Sequence, residues 1–289
     1  MTDYRLESRV IAGTDIRVSP IGFGTVKLGR DQGVKYPSGF KIPDDREAVS
    51  LLKLAQSLGI NLLDTAPAYG TSEERLGPLL KGQREDWVIC SKVGEEFENG
   101  ESHFNFTPEH IRFSIERSLK RLNTDRIEMV LVHSNGDDVH IIEQYGCLEV
   151  LEDLKKEGKI LASGMSTKTV EGGIMALERS DIAMVTYNLK EQAEKPVLDF
   201  ALENGKGILI KKALASGHAC LEGEDPVGSH ERKVSPAVRR KSSDNLVKSS
   251  MELVFSHPAT SAAVIGTINP KHLKSNAETC ARVIKAQQS

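Results

Sequence analysis

The chain has 289 residues, of which 39% are hydrophobic and 27% charged, and its formal net charge is −3. This composition is ordinary for a globular protein, and the slight acidity argues against the basic surface by which proteins bind nucleic acids. No apolar run reaches the roughly 18 residues that a membrane-spanning helix requires. We therefore expect no nucleic-acid or membrane partner. We also expect a monomer or small homo-oligomer, with a small molecule as its partner.

The cysteines and the first residues bear on metal binding and location. The four cysteines are scattered, without the C-x-x-C spacing of a zinc site or the pattern of a disulfide framework. Residues 1–10 are polar and mixed in charge, unlike the apolar core of a secretory signal. We therefore expect a cytoplasmic protein with reduced thiols and no metal centre.

After residues 1–19, in which IAGTDIRVS has the pattern of a hairpin, short apolar runs alternate with helical patterns along the chain. The runs lack a regular alternation of apolar and polar residues, which is typical of strands buried on both faces. They occupy residues 20–25, 60–65, 87–92, 127–133, 159–166, 182–188, 207–211 and 261–266.

Capping residues mark several helix ends. Thr-Pro at 107–108 and Asn-Pro at 269–270 each predict an N-cap followed by proline. Residues 71–74 have the form of a capping box, and residues 155–158, with two lysines before a glycine, predict a helix end. Residues 215–243 form a long polar connection, which we expect to lie as a loop over the active face.

Eight strand–helix units in sequence imply parallel strands joined by right-handed crossovers. Such units close into a (β/α)8 barrel of about 250 residues, so we expect residues 1–289 to form one barrel domain of the α/β class. The N-terminal hairpin would cover one barrel end. An open doubly wound sheet is the alternative, although no G-x-G-x-x-G turn follows an early strand.

Four polar side chains stand at or just after neighbouring strand ends, where barrel enzymes carry their catalytic groups. Asp64 ends the second strand, with Tyr69 five residues on; Lys92 ends the third and His133 the fourth. Taken singly, each residue has an ordinary structural role, as a turn former, a packed aromatic, a solvated cation or a core histidine. All four, however, leave neighbouring strands at the same end of the barrel, which favours a joint catalytic role.

Together these four groups can protonate a carbonyl oxygen. A free tyrosine has a pKa near ~10, too high for an efficient acid at neutral pH, and a nearby ammonium favours the phenolate. Asp64 would hold Lys92 charged and in place, while His133 would donate a hydrogen bond to the same oxygen. None of them can supply a hydride, so the chemistry requires a cofactor.

The run DTAPAYGTSEERLG at residues 64–77 resembles the signature of the aldo-keto reductases. The resemblance continues over nearly the whole chain, in the family's order and spacing, through residues 22–25, 91–93, 121–127, 158–160, 164–166 and 265–276. It implies a (β/α)8 barrel that binds NADPH or NADH in an extended form, and a tetrad of Asp64, Tyr69, Lys92 and His133. Tyr69 would be the general acid in reduction and the general base in oxidation.

The resemblance also implies the cofactor contacts, with NADP(H) favoured over NAD(H). The expected positions are Gly24 and Thr25 near the nicotinamide ribose, Ser166 and Thr167 at the carboxamide, Lys211 beside the ring, Ser216 and Gly217 at the pyrophosphate, and Gly266, Thr267, Lys271, His272 and Asn276 around the adenosine end.

Several of these positions differ from the family's usual residues. Thr167 stands where many members have asparagine, and Met184 where many have glutamine. Lys211 replaces an aromatic that stacks on the nicotinamide, and His272 replaces an arginine that holds the 2′-phosphate. Trp87, at the start of a strand, is expected to be structural.

Two other functions are compatible with the residues. The altered nicotinamide contacts would suit a cofactor-binding regulatory or sensor module with little turnover. A Schiff-base aldolase could use Lys92 as its nucleophile. Asp64 argues against the aldolase, because it would keep the lysine charged.

Overall fold

The computed structural model describes residues 5–34, 39–215 and 236–288. Eight parallel strands close into a barrel, in which the last strand pairs with the first and no strand edge is left open. This confirms the predicted barrel and excludes the open sheet. The barrel strands are β3 (Ile21–Gly24), β4 (Leu62–Asp64), β5 (Val88–Val93), β8 (Ile127–His133), β9 (Ile160–Ser166), β10 (Ile182–Thr186), β11 (Gly207–Lys211) and β12 (Thr260–Ile265).

Helices surround the barrel and bury one face each against it. Among the described residues, no helix is both long and apolar enough to cross a bilayer. The helices are α1 (Val26–Gly29), α2 (Asp45–Ser57), α3 (Ser72–Leu79), α4 (Pro108–Leu122), α5 (Asp138–Tyr145), α6 (Cys147–Lys156), α7 (Val170–Arg179), α8 (Lys195–Glu203), α9 (Pro236–Ser256) and α10 (Pro270–Gln287).

Most of the predicted helix ends are confirmed. The Thr107 side chain accepts a hydrogen bond from the His110 amide, and the Asn269 side chain accepts from two amides of α10. Helix α6 ends before Gly158, whose φ is +76°. The prediction of a loop over residues 215–243 is in part wrong, because α9 already begins at Pro236; residues 216–235 lie outside the described residues.

The capping box predicted at residues 71–74 is also wrong. The Thr71 side chain makes no capping hydrogen bond, because its φ of −86° and ψ of 9° lie outside the extended region that lets an N-cap side chain reach back to the helix amides. Its amide instead donates to Gly29 O, and Glu74 pairs with Arg121 at 3.0 Å. A capping box does form at Asp44 and Glu47.

The N-terminal hairpin pairs β1 (Arg9–Val10) with β2 (Arg17–Val18) and closes one barrel mouth. Ile11, Ile16 and Val18 pack with the apolar side chains inside the barrel. Gly207 begins β11, and a Cβ placed there would lie 2.3 Å from Ile11. The hairpin therefore covers the mouth where strands begin, which leaves the mouth where strands end for chemistry.

A second hairpin, not predicted from the sequence, follows β5 at that opposite mouth. It pairs β6 (Glu95–Glu98) with β7 (Glu101–Phe104). Asn99 and Gly100 form its turn with φ values of 53° and 87°, as in the two-residue turns that suit the twist of a hairpin. The Arg30 guanidinium lies 3.5 Å from the centre of the Phe97 ring and joins the hairpin to the loop after α1.

Candidate active site

Asp64 and Lys92 form a buried ion pair where β4 and β5 end. Lys92 Nζ donates to Asp64 Oδ1 at 2.6 Å and to Thr65 O at 2.9 Å, and only 2% of the lysine is exposed. Burial acts to lower the pKa of Lys92, but the charges of Asp64 and its other neighbours outweigh burial and raise that pKa. The lysine therefore remains a full positive charge inside the barrel mouth.

Tyr69 lies on the turn between β4 and α3, against the same pair. Its hydroxyl donates to Asp64 Oδ2 at 3.3 Å, and Lys92 Nζ lies 4.7 Å from the centre of its ring. The two oxygens of Asp64 thus hold the ammonium and the phenol side by side. A cation at this distance from the ring is attracted to its face and favours negative charge on the phenol oxygen.

His133 ends β8 and completes the group. Its ring meets that of Tyr69 edge to face, with centroids 6.4 Å apart. Its Nδ1 lies 2.7 Å from Glu95 Oε2 of the second hairpin. Burial lowers the pKa of His133, Glu95 opposes this, and the charges of Lys92 and Lys211 add to the lowering.

The structure therefore brings Asp64, Tyr69, Lys92 and His133 together at one mouth of the barrel. It adds Glu95, which the sequence analysis missed. The available signal was the Asn99–Gly100 dipeptide between runs of charged and aromatic residues, which is a hairpin turn pattern. Nothing in the sequence shows, however, which carboxylate of that hairpin meets the histidine.

Ser166, Thr167 and Lys211 lie beside this group. Ser166 ends β9 directly opposite His133 of β8 in the barrel register. Lys211 Nζ donates to Ser166 Oγ at 2.9 Å and to the carbonyl oxygen of Thr167. Thr167 Oγ1 is buried and has no hydrogen-bond partner among the residues that the structure describes.

Lys211 is a cation in a poorly solvated position. Burial lowers its pKa to about 8, against a partial opposing effect of Glu194. Glu194 Oε2 accepts a hydrogen bond from the Thr186 amide, and burial raises the pKa of Glu194. Lys211 therefore changes charge close to neutral pH.

Asp138 holds the loops after β8 and β9 together. Its Oδ2 accepts from the amides of Lys168 and Thr169, both at 2.8 Å, and its Oδ1 accepts from the Ser134 hydroxyl. One buried carboxylate thus fixes the chain after His133 to the chain after Ser166. The His133 ring and the Ser166 hydroxyl are therefore positioned as one unit.

Gly24 and Thr25 stand where β3 ends. Thr25 is buried, its hydroxyl donates to Asp64 O at 2.9 Å, and it accepts from Ser72 at 2.8 Å. It therefore fixes the backbone that carries Asp64. A Cβ at Gly24 would lie 3.4 Å from the Gly266 backbone, which places this strand end beside the segment that follows β12.

The residues expected at the adenosine end follow β12 at the same mouth. Lys271 and His272 are exposed in the first turn of α10, and Thr267 and Asn276 are buried. Ser216 and Gly217 lie outside the described residues. Trp87 is buried in the core between barrel and helices, in keeping with a structural role.

Among the described residues, no group of three or more histidine, cysteine, aspartate or glutamate side chains could hold a metal ion. The polar groups of the mouth are carboxylates, a phenol, two ammoniums, an imidazole and several hydroxyls. This set can move protons and stabilise a developing oxyanion, but it holds no hydride donor.

Residues 20–289 match the family model described as the aldo/keto reductase family. The chain therefore belongs to the aldo-keto reductase family, a class of oxidoreductases. The resemblance seen in the sequence is thereby confirmed.

Solved and characterised relatives agree with this assignment. A crystal structure of a Pseudomonas aeruginosa protein assigned to the aldo-keto reductases is 52% identical, with a TM-score of 0.82, and the match covers 96% of this chain and 95% of that one. The aldo-keto reductase YhdN of Bacillus subtilis is 32% identical over 73% of this chain and 63% of its own length. The NADH-specific methylglyoxal reductase of Escherichia coli is 31% identical over 71% of this chain and 66% of its own.

Proposed function

We propose that the protein reduces an aldehyde or ketone to an alcohol with a nicotinamide cofactor, and that Tyr69 delivers the proton. The observation that carries the proposal is the buried Asp64–Lys92 pair with the Tyr69 hydroxyl on its second oxygen. Carbonyl reduction is the chemistry that the family supports. The whole chain would act as one barrel domain, and the reaction would run in either direction.

The residues at the mouth fit a nicotinamide. The buried, unpartnered Thr167 hydroxyl and the Ser166 hydroxyl beside it suit a carboxamide, which both donates and accepts. Gly24 and Thr25 would lie near the ribose, and the segment from Gly266 to Asn276 would hold the adenosine end. When bound, the nicotinamide supplies the hydride.

The protein's own residues carry out the rest of the reaction. Lys92, held charged by Asp64, stabilises negative charge on the Tyr69 oxygen, so the phenol gives up its proton at neutral pH. His133 stands against the Tyr69 ring, where it would orient the carbonyl oxygen. In the oxidative direction, the Tyr69 phenolate takes the proton back.

We propose NADP(H) as the preferred cofactor over NAD(H), with Lys271 and His272 near its 2′-phosphate. Both side chains are exposed in the first turn of α10, where the helix N-terminus also favours an anion. The name of the Escherichia coli relative assigns that protein to NADH. Fluorescence titration with NADPH and NADH, followed by a panel of aldehydes and ketones with the tighter nucleotide, decides between the two.

The charged state of Lys92 argues against an aldolase. An amine must lose its proton before it attacks a carbonyl, and Asp64 and Thr65 O both hold the ammonium. No observation at the site favours Schiff-base chemistry. A regulatory module would bind the nucleotide but turn over none of the carbonyl panel, so the same experiment separates it from a reductase.

Tyr69→Phe tests the proton donor. We expect this variant to lose between about 100-fold and 10,000-fold in kcat, the range of general-acid contributions, while nucleotide affinity stays unchanged. Tyr145→Phe is the matched control, because Tyr145 is half-buried on α5 among Phe106 and His140. A Tyr69→Phe protein that retains most of its turnover would overturn the mechanism.

A further inference from the structure

The environment of His133 Nδ1 contains an acidic group that the proposed reaction does not use. Glu95 Oε2 lies 2.7 Å from Nδ1, a contact with the length of a hydrogen bond but not its direction. Nδ1 is buried and has no hydrogen-bond partner among the described residues. A lone pair on Nδ1 would face the lone pairs of a carboxylate, whereas a proton there needs only a small ring rotation to form a charge-assisted hydrogen bond.

The neighbours of Glu95 keep its carboxylate ionised and hold it in place. Ser102 Oγ donates to Glu95 Oε1 at 2.7 Å from the facing strand of the hairpin. Burial acts to raise the pKa of Glu95, but His133, Ser102 and the charge of Arg30 outweigh burial and lower that pKa to about 2. The carboxylate is therefore charged throughout the neutral range.

The charges around the imidazole come from three strands, and a fourth segment adds an aromatic contact. Glu95 of β6 favours the protonated ring, while Lys92 of β5 and Lys211 of β11 disfavour it, and Tyr69 meets the ring edge to face. Burial also disfavours the charged ring, and the net effect lowers the pKa of His133. The ring is therefore mainly neutral at pH 7, and which nitrogen carries its one proton becomes the decisive question.

We propose that Glu95 is a positioning residue that holds the proton of the neutral His133 ring on Nδ1. Nε2 then carries a lone pair and accepts hydrogen bonds. His133 donates from Nε2 only after it takes up a second proton, as an imidazolium paired with Glu95. The second hairpin thus couples the protonation of His133 to its ability to hold a carbonyl oxygen, a consequence that rests on the proposed function.

Nitrogen-15 spectroscopy of the imidazole tests the proton's position without nucleotide or substrate. The chain has 8 histidines, and His133→Asn identifies the His133 resonances by their disappearance. We expect the wild-type ring above its pKa to show a protonated Nδ1 and an unprotonated Nε2. A proton on Nε2 in the wild-type protein would overturn the proposal, and this outcome needs no Glu95 variant to fold.

Glu95→Leu removes both the charge and the acceptor. We expect its His133 signals to shift, with Nε2 becoming the protonated nitrogen. Glu101→Gln is the matched control, because Glu101 is an exposed carboxylate on the same hairpin, and its spectrum should match the wild type. A ring that keeps its proton on Nδ1 in Glu95→Leu would show that Glu95 does not set the tautomer.

The pH dependence of carbonyl reduction gives a second readout, measured as kcat/KM at saturating nucleotide. In the wild type it should fall as pH rises through the pKa of His133, because the imidazolium is lost. Glu95→Leu leaves Nδ1 without an acceptor and frees the neutral ring to donate from Nε2, so the fall with rising pH should disappear and the two profiles should cross. Parallel profiles would refute the coupling, whereas a wild type that reduces no carbonyl would refute the proposed function and leave the spectroscopic test intact.

Discussion

At the scale of single residues, the barrel mouth keeps a charge that burial alone would remove. Lys92 is almost fully buried, yet Asp64 raises its pKa, because the attraction of the adjacent carboxylate exceeds the cost of desolvation. No carboxylate of the described residues forms an ion pair with Lys211, and burial lowers its pKa to about 8. Two lysines at one mouth thus differ in charge behaviour because one has a carboxylate 2.6 Å away.

The lowered pKa of Lys211 predicts a pH-dependent preference between oxidised and reduced nucleotide. With the nicotinamide against Ser166, charged Lys211 repels the positive oxidised ring and leaves the neutral reduced ring unaffected. The ratio of the NADP+ to the NADPH dissociation constant should therefore be high at pH 6.5 and fall as pH rises through about 8. We expect a change of about tenfold, or ~1.4 kcal/mol of charge repulsion.

Taking the ratio of the two dissociation constants cancels any pH dependence that affects both nucleotides equally. Lys211→Met should give a ratio that is low and constant with pH, when both affinities are measured by fluorescence titration. Lys212→Met is the control, since Lys212 is exposed and follows directly in the chain, and it should keep the pH dependence. A constant ratio in the wild type would contradict this role of Lys211.

At the scale of elements, the second hairpin explains how a carboxylate reaches His133. β6 leaves the end of β5 one residue after the barrel strand, so the hairpin rises directly from the mouth. Arg30 stacks on Phe97 and donates to Ala68 O, which ties the hairpin to the turn that carries Tyr69. Residues far apart in the chain are thereby held around one site.

Two glycine variants with similar backbone strain, one in the turn of this hairpin and one outside it, allow effects on stability to be distinguished from effects on the site. Gly100→Ala puts a side chain on a backbone with φ of +87°, a conformation that costs an L-residue about 1–2 kcal/mol, although the nearest atom, Gln32 Oε1, lies at an ordinary contact distance of 3.5 Å. Gly82→Ala imposes the same strain at φ of +80° in the exposed connection before β5. Both variants should lose about 1 kcal/mol of unfolding free energy in urea.

The two glycine variants should differ at the site. Gly100→Ala should shift the His133 imidazole resonances, because the hairpin that carries Glu95 is loosened. Gly82→Ala should leave those resonances in place, since no atom of its connection contacts the hairpin in the described hydrogen bonds and ring contacts. Identical spectra for the two variants would show that the turn does not position Glu95.

At the scale of the whole molecule, the proposed function divides the two barrel mouths between stability and chemistry. The N-terminal hairpin fills the mouth where strands begin with Ile11, Ile16 and Val18. The groups that we propose to be catalytic lie at the mouth where strands end, as in barrel enzymes generally. Substitutions at the first mouth should therefore affect folding alone.

Ile11→Ala tests this division. Ile11 is 0% exposed, so we expect the loss of its methyl groups to lower the unfolding free energy by about 2–5 kcal/mol, measured by urea denaturation. KM and kcat should stay at wild-type values in the folded protein. Val10→Ala is the control at the neighbouring position, where 48% of the side chain is exposed, and it should cost little. A raised KM in Ile11→Ala would contradict the division.

The sequence by itself determined the barrel and which side chains meet where its strands end. Strands such as residues 127–133 and 207–211 were predicted with their observed bounds, because each is a short apolar run of the kind buried on both faces. Asp64, Lys92 and His133 meet because consecutive parallel strands lie side by side and end at one mouth.

Only the tertiary structure decided the contacts between segments that the strand order does not join. The Glu95–His133 contact depends on how a hairpin docks, and the Lys211–Ser166 hydrogen bond depends on side-chain geometry across the mouth. The failed capping box at residues 71–74 shows the same limit, because the amide of Thr71 binds Gly29 O. Local pattern determines which elements form, whereas competition among distant partners for the same polar atoms determines what each side chain finally binds.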